Sequence, residues 1–223
     1  VVEAASAVNR QLSEAYSMIQ PPRPDELRGV WDHEAVGWYP GDWGRTCREL
    51  KAGGLNAIFI NALWAGLAHY PSKVVPTSGT NRRLGDQLAA CLAAAHTNGL
   101  QVHAWKVCWL VENAPADFKQ KLKEEGRLQQ KADGSTVYWL NPALAANREL
   151  ELAALEELAR NYAVDGIHLD DIRYPDGGTC FAPASRQAFE AWRGQPVEDW
   201  PAAVRGGAGQ KEYQRWRAEL ITD

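Results

Sequence analysis

The residues best equipped for chemistry lie in one short run, Asp165-Gly166-Ile167-His168-Leu169-Asp170-Asp171-Ile172-Arg173-Tyr174-Pro175. An imidazole and a carboxylate two residues apart, then a second carboxylate and a guanidinium, are groups for acid–base, nucleophilic or metal-assisted reactions. Ile167 and Leu169 alternate with His168 and Asp170, the period of two that marks a strand. His168 and Asp170 therefore share one face, and Asp171 points to the other if the strand stays regular. Pro175 stops the run, because proline donates nothing to a sheet ladder. Asp171 is placed to hold Arg173 or a ligand, and Arg173 and Tyr174 to contact Asp170 or a bound molecule.

Other strand-like segments carry polar or aromatic groups on matching faces. In Leu100 to Lys106, His103 and Trp105 alternate with Val102 and Ala104. His103 can orient Asp170 or bind a ligand, or it is a satisfied core histidine. Asn61 shares the face of Phe59 at the end of a second apolar run. Asp32 follows Trp31 at the end of another, and Trp64 and Tyr70 lie just beyond the second. The chain holds ten tryptophans against four phenylalanines. Trp31, Trp38, Trp43, Trp64, Trp105, Trp109 and Trp139 all fall at expected strand ends or in the loops after them. Indole offers a broad apolar face and one N–H donor, which suits stacking against a flat ring; most of the seven are expected to be structural.

The elements that must position these groups alternate. Residues 1–25 read as a helix (Val8, Leu12, Tyr16 and Ile19 at helical spacing) and a stiff connector with Pro21, Pro22 and Pro24. Residues 26–223 then run strand (Leu27 to Asp32), helix (Trp43 to Lys51, ended by Gly53-Gly54), strand (Asn56 to Ala62), helix (84–98) and strand (Leu100 to Lys106). Asn141-Pro142 reads as an N-cap followed by proline at the first helical position, opening a helix to Tyr162. The Gly166 strand comes fourth, and helical pieces follow at Ala184–Trp192, Asp199–Val204 and Gln210–Ile221. A further helix, Ala116 to Glu125, is expected inside the loop 106–140.

Such alternation implies parallel strands joined by right-handed crossovers. The long loops 63–83, 106–140 and 173–183 all follow strands, as on the binding face of a (β/α) barrel of the TIM type. Only the first four β/α units are present, where a complete barrel has eight strands and about 250 residues. Half a barrel leaves raw sheet edges. The favoured expectation is a fragment of a longer chain, with a second copy as the other way to complete the barrel.

With 223 residues, 45% hydrophobic and 23% charged, the chain has the composition of a globular domain. Its formal net charge of −4 and lack of a basic stripe argue against nucleic acid as a partner. No apolar run reaches the roughly 18 residues of a membrane span. The four cysteines lack metal-type spacing. Cys47 and Cys91 read as buried apolar groups inside helices, and a disulfide between Cys108 and Cys180 is open.

Five segments in order, Leu27-Arg28-Gly29-Val30-Trp31, His69-Tyr70-Pro71-Ser72, His103-Ala104-Trp105, Trp139-Leu140-Asn141-Pro142 and Asp165 to Pro175, resemble the glycosyl hydrolase-like 10 family of bacterial proteins. The resemblance runs from about residue 26 to the end. It implies a glycoside-hydrolase-type TIM barrel, often exported, with an oligo- or polysaccharide such as a cell-wall glycan as substrate. Two departures stand out. Many members carry Arg at the end of the second strand, where this chain has Asn61-Ala62-Leu63-Trp64, and the family barrel continues past residue 223. Asp165-Gly166, His168 and Asp170 also resemble the fourth strand of α-amylase-type enzymes, which implies Asp170 as nucleophile.

Glycosidic hydrolysis needs two carboxyl groups, one protonating the leaving oxygen and one attacking carbon or activating water. Asp170 is the candidate nucleophile or base. Candidate substrate-binding residues are His168, Asp171, Arg173, Tyr174, His103, Trp105, Asn61, Trp64, Tyr70 and Asp32. No convincing general acid is present: Glu34, Asp42 and Glu112 all lie in loops, so the acid is expected on a later strand. No cofactor is expected. Two other readings stay open. One is a barrel that binds glycans without cleaving them. The other is a metal-dependent polysaccharide deacetylase using Asp170, Asp171 and a histidine, although the five histidines form no HxxH or HxxxH pair.

Overall fold

The structure, a computed structural model, describes residues 2–19 and 25–222. Its elements run α1 (Val2–Ile19), β1 (Gly29–Asp32), α2 (Trp43–Ala52), β2 (Ala57–Trp64), β3 (Leu67–Ala68), α3 (Gly79–Leu84), α4 (Gln87–Thr97) and β4 (Gln101–Val107). There follow α5 (Ala116–Glu124), β5 (Leu128–Gln130), β6 (Thr136–Leu140), α6 (Ala145–Asn161), β7 (Gly166–Asp170), α7 (Pro183–Arg193), a 3₁₀ turn (Ala202–Val204) and α8 (Gly207–Thr222). The prolines expected to form the connector lie outside the described residues. The apolar side chains Val8, Leu12 and Tyr16 of α1 are exposed.

β1, β2, β4 and β7 pair in that order, all parallel, and β3 joins β2 as a short antiparallel hairpin. The sheet does not close, so β1 and β7 are its edges. This is an α/β fold with the strand order of the first half of a TIM barrel. Burial follows the two-residue period. Ile58, Ile60, Val102 and Ala104 face the helices, where they pack with Cys47, Leu50, Leu88, Cys91, Ala154 and Leu158. Ala57, Phe59, Trp105 and Val107 pack together on the other, concave face. β2 is buried on both faces as far as Leu63, as a central parallel strand must be. On the edge strand β7 the helix-side residues Ile167 and Leu169 stay 36% and 40% exposed.

Several boundaries differ from the sequence reading. β1 starts at Gly29, where a Cβ would come within 2.5 Å of the Phe59 ring. The expected 84–98 helix is α4 and begins only at Gln87, after a short unexpected helix: Gly85 at φ 75° ends α3, and Asp86 restarts the chain by accepting the backbone N–H of Ala89. Asn141 is no helix cap. Its side chain closes a turn on Ala143 N–H, and α6 begins only at Ala145. β5 and β6 form a hairpin inside the 106–140 loop beside α5. The expected helix at Asp199–Val204 is a single 3₁₀ turn.

No disulfide forms. Cys108 and Cys180 are free, buried thiols in separate surroundings. Cys180 lies beside the Ser185 hydroxyl at 3.2 Å, while Cys108 packs with Trp109 and Leu140.

Candidate active site

The concave face carries two tiers of side chains. The lower tier is aromatic. Trp31 stacks on Phe59 with ring centroids 4.6 Å apart, and His103 stacks on the other side of Phe59 at 4.9 Å. His168 meets Trp31 and Phe59 edge-on at 5.9 and 5.3 Å. Glycine at 166 makes room for this packing, since a Cβ there would overlap the His103 ring.

The upper tier holds the candidate carboxylate, Asp170. Trp105 Nε1–H donates to Asp170 Oδ2 at 3.1 Å, and the backbone N–H of Asp171 donates to Asp170 Oδ1 at 2.7 Å. Trp64 lies edge-on to Trp105 at 5.5 Å. His33, exposed in the loop after β1, meets Trp105 and Trp64 edge-on at 4.6 and 6.0 Å. Asn61 donates to the His33 carbonyl at 2.8 Å and so anchors that loop, while its own Oδ1 is buried without a partner.

Strain gathers at the same end of the sheet. Ala35, Ala65, Trp109 and Asp171 all have positive φ, from 50° to 66°. They follow β1, β2, β4 and β7 by one to three residues. A left-handed L-residue costs about 1–2 kcal/mol, and such residues cluster where a loop is held for function.

The structure separates the sequence candidates. Asp170, Trp105, Trp64, His168 and Asn61 lie on the concave side, joined by His33, which the sequence reading passed over although it sits one residue past the β1 terminus. His103 is there too, but its register partner is Gly166, while that of Asp170 is Val107. Four residues at about 3.3 Å each put it roughly 13 Å down the strand, too far to orient Asp170. Arg173 pairs with Asp171 Oδ1 at 2.7 Å, not with Asp170, and lies over the Trp139 ring. Tyr174 turns away, its ring under the Arg217 guanidinium of α8 at 3.9 Å, and burial pushes its phenol pKa up.

Two candidates lie on the wrong face altogether. Asp32 follows Trp31 by one residue, so it points to the helix side, and it accepts Gly37 N–H at 2.8 Å. Burial raises its pKa, and the N–H groups of the loop it caps oppose that rise. Tyr70 is fully buried and donates to Glu157 on α6 at 3.0 Å. Glu157 also accepts Ser72 Oγ–H at 2.5 Å and Lys73 N–H at 2.7 Å. The His69-Tyr70-Pro71-Ser72 segment is thus tied to a helix by one carboxylate. Asp42 caps α2 through Arg45 N–H. Among the described residues, no three His, Cys, Asp or Glu side chains gather to hold a metal ion.

The sequence pattern of the family described as glycosyl hydrolase-like 10 matches residues 26–223. The glycosyl hydrolase YngK of Bacillus subtilis (strain 168) is 26% identical over 173 residues, covering 67% of this chain and 34% of that protein. The glycosyl hydrolase DigH of Escherichia coli (strain K12) is 26% identical over 158 residues, covering 62% of this chain and 34% of that protein. The chain thus spans about a third of the length of these curated relatives. Among solved structures, the catalytic domain of β-amylase from Paenibacillus polymyxa superposes with a TM-score of 0.57 at 14% identity, covering 87% of this chain and 59% of that one. The β-galactosidase of the psychrophilic Marinomonas ef1 gives 0.54 at 16% identity, covering 75% and 25%. At such identities the likeness is one of fold, that of TIM-barrel glycosidases. By the match over residues 26–223, the chain belongs to the glycosyl hydrolase-like 10 family.

Proposed function

We propose that the protein is a glycoside hydrolase acting on a polysaccharide, a bacterial cell-wall glycan in the first instance, with Asp170 as nucleophile or base. The observation that carries this is the Asp170 carboxylate at the concave C-terminal end of β7, held by two N–H donors among aromatic walls. One of its oxygens attacks the anomeric carbon or takes a proton from water, while a second carboxyl group protonates the leaving oxygen. Trp64 and His33 border the approach and offer a ring face and a polar edge to a sugar. Asp171 and Arg173 form a charged rim.

Residues 26–223 are on this reading the first half of the barrel, with residues 1–25 leading into it. The open backbone edge of β7 receives the fifth strand, from the continuation of a longer chain or from a second copy. The general acid comes from that completing part. A cell-wall substrate places the protein outside the cytoplasm, so it is exported. Among the described residues no helix is long and apolar enough to cross a membrane.

The test is release of reducing ends from purified cell-wall glycan by the protein with its barrel complete. Chain 1–223 alone gives no turnover on this account. Turnover by chain 1–223 that Asp170→Asn abolishes would refute the need for a second half. Calorimetric binding of glycan without cleavage by the complete protein would move the assignment to a binding barrel.

A further inference from the structure

We infer that Trp105 is a positioning residue for Asp170, and not a sugar-stacking platform. This rests on the reading of Asp170 as nucleophile or base and assigns the side chain that aims it. Trp105 is buried, and the edges of His33 and Trp64 meet its ring at interplanar angles of 87° and 84°. It belongs to the apolar cluster of the concave face that also holds Phe59 and Val107. A ring so enclosed has no free face for a sugar, and its N–H cannot swing away.

That N–H reaches diagonally across two strands. Trp105 is level with His168, and the indole spans the two further residues to Asp170 Oδ2. No other side chain type offers a donor at that reach with so much apolar body. The second oxygen is fixed independently. The β4–β7 ladder closes with Cys108 N–H donating to the Asp170 carbonyl at 2.8 Å. The backbone then leaves the sheet, with Asp171 at φ 51°, and Asp171 N–H donates to Oδ1. Each oxygen therefore accepts one N–H, one from the neighbouring strand and one from the following peptide. Together they fix the carboxylate plane while each oxygen keeps a lone pair for the reaction. Arg173 is occupied by Asp171, so Asp170 is oriented by hydrogen bonds from two neutral N–H groups, the Trp105 indole and the Asp171 peptide.

Two measurements test this. In protein with ¹⁵N-labelled tryptophan, the Trp105 indole N–H resonance, assigned by its absence in Trp105→Phe, shifts markedly upfield in Asp170→Ala. An unmoved resonance overturns the proposal, and the variant read in this arm changes the half-buried Asp170 and leaves the packed ring in place. In the complete protein acting on purified cell-wall glycan, Trp105→Phe keeps the ring and loses the donor. It lowers kcat by about tenfold or more, as misorientation does, with KM within about twofold of wild type. A raised KM with unchanged kcat would mean a platform and overturn the proposal. Loss of turnover in Asp170→Asn beside an unaffected Trp105→Phe sinks only the positioning role. Full turnover by Asp170→Asn sinks the reading of Asp170, and the positioning role with it.

Discussion

At the scale of single residues, the two faces of one sheet separate the candidate site from the packing that supports it. Alternation in the sequence was enough to put Asp170 and His168 together and to set Asp171 apart. The same alternation directs Asp32, one residue after Trp31, to the helices, where it caps the loop at Gly37. Tyr70 lies in a loop, where no period predicts direction, and its partner Glu157 is 87 residues away. His69 in the same loop makes a prediction about pH. Burial holds its imidazole below the ordinary 6.5, partly opposed by the charge of Glu34, and Ser78 Oγ lies 3.1 Å from its Nδ1. The folded chain thus binds that proton less readily than the unfolded one. Its contribution to stability is whole above 6.5 and drains away as pH falls toward the depressed value. His69→Gln, which keeps a hydrogen-bonding group without titrating, should flatten the fall in urea midpoint between pH 7.5 and 5.5. Parallel falls in both proteins would contradict this.

At the scale of elements, the strands were legible because their apolar runs are short and alternating, and the loops were not. The β5–β6 hairpin has an Asp133-Gly134 turn, with Gly134 at φ 82°. That is a hairpin signal, which the surrounding charged residues obscured. The β2–β3 turn shows why a glycine is needed at 66. Ala65 and Gly66 both have positive φ, the turn that suits a two-residue hairpin. A Cβ at 66 would also meet Ala114 Cβ at 2.9 Å and Val111 Cα at 3.1 Å. Gly66→Ala therefore combines a left-handed alanine with a clash between two loops. It should cost about 2–4 kcal/mol in denaturant unfolding, and a cost below about 0.5 kcal/mol would refute the account. Between sheet and helix, Lys106 on β4 pairs with Glu151 on α6, their side chains 4% and 15% exposed. Lys106→Met leaves a poorly solvated carboxylate and should cost about 3–5 kcal/mol. Adding Glu151→Leu should restore most of it, since replacing both partners of a buried pair is close to neutral. A double variant no more stable than Lys106→Met would show that the pair is not the cause.

At the scale of the whole molecule, four parallel strands with two free edges make a half-barrel. Element order alone was sufficient to read this, because chirality and strand–helix alternation leave few arrangements. The state of the cysteines was not legible, since sequence carries no Cα separations. All four are buried and free, and burial raises the Cys47 and Cys108 pKa values to about 11. The native protein should show no fast-reacting thiol at pH 7.5 and four after denaturation; a fast native thiol would contradict this packing. The open β7 edge separates the half-barrel from its completed form. The central claim is that Asp170 does the chemistry. Its most direct test is turnover of purified cell-wall glycan by the complete protein and by its Asp170→Asn variant, with folding checked by circular dichroism. The account predicts that the folded variant loses on the order of 10³-fold in kcat, and a folded variant that keeps wild-type turnover would contradict it.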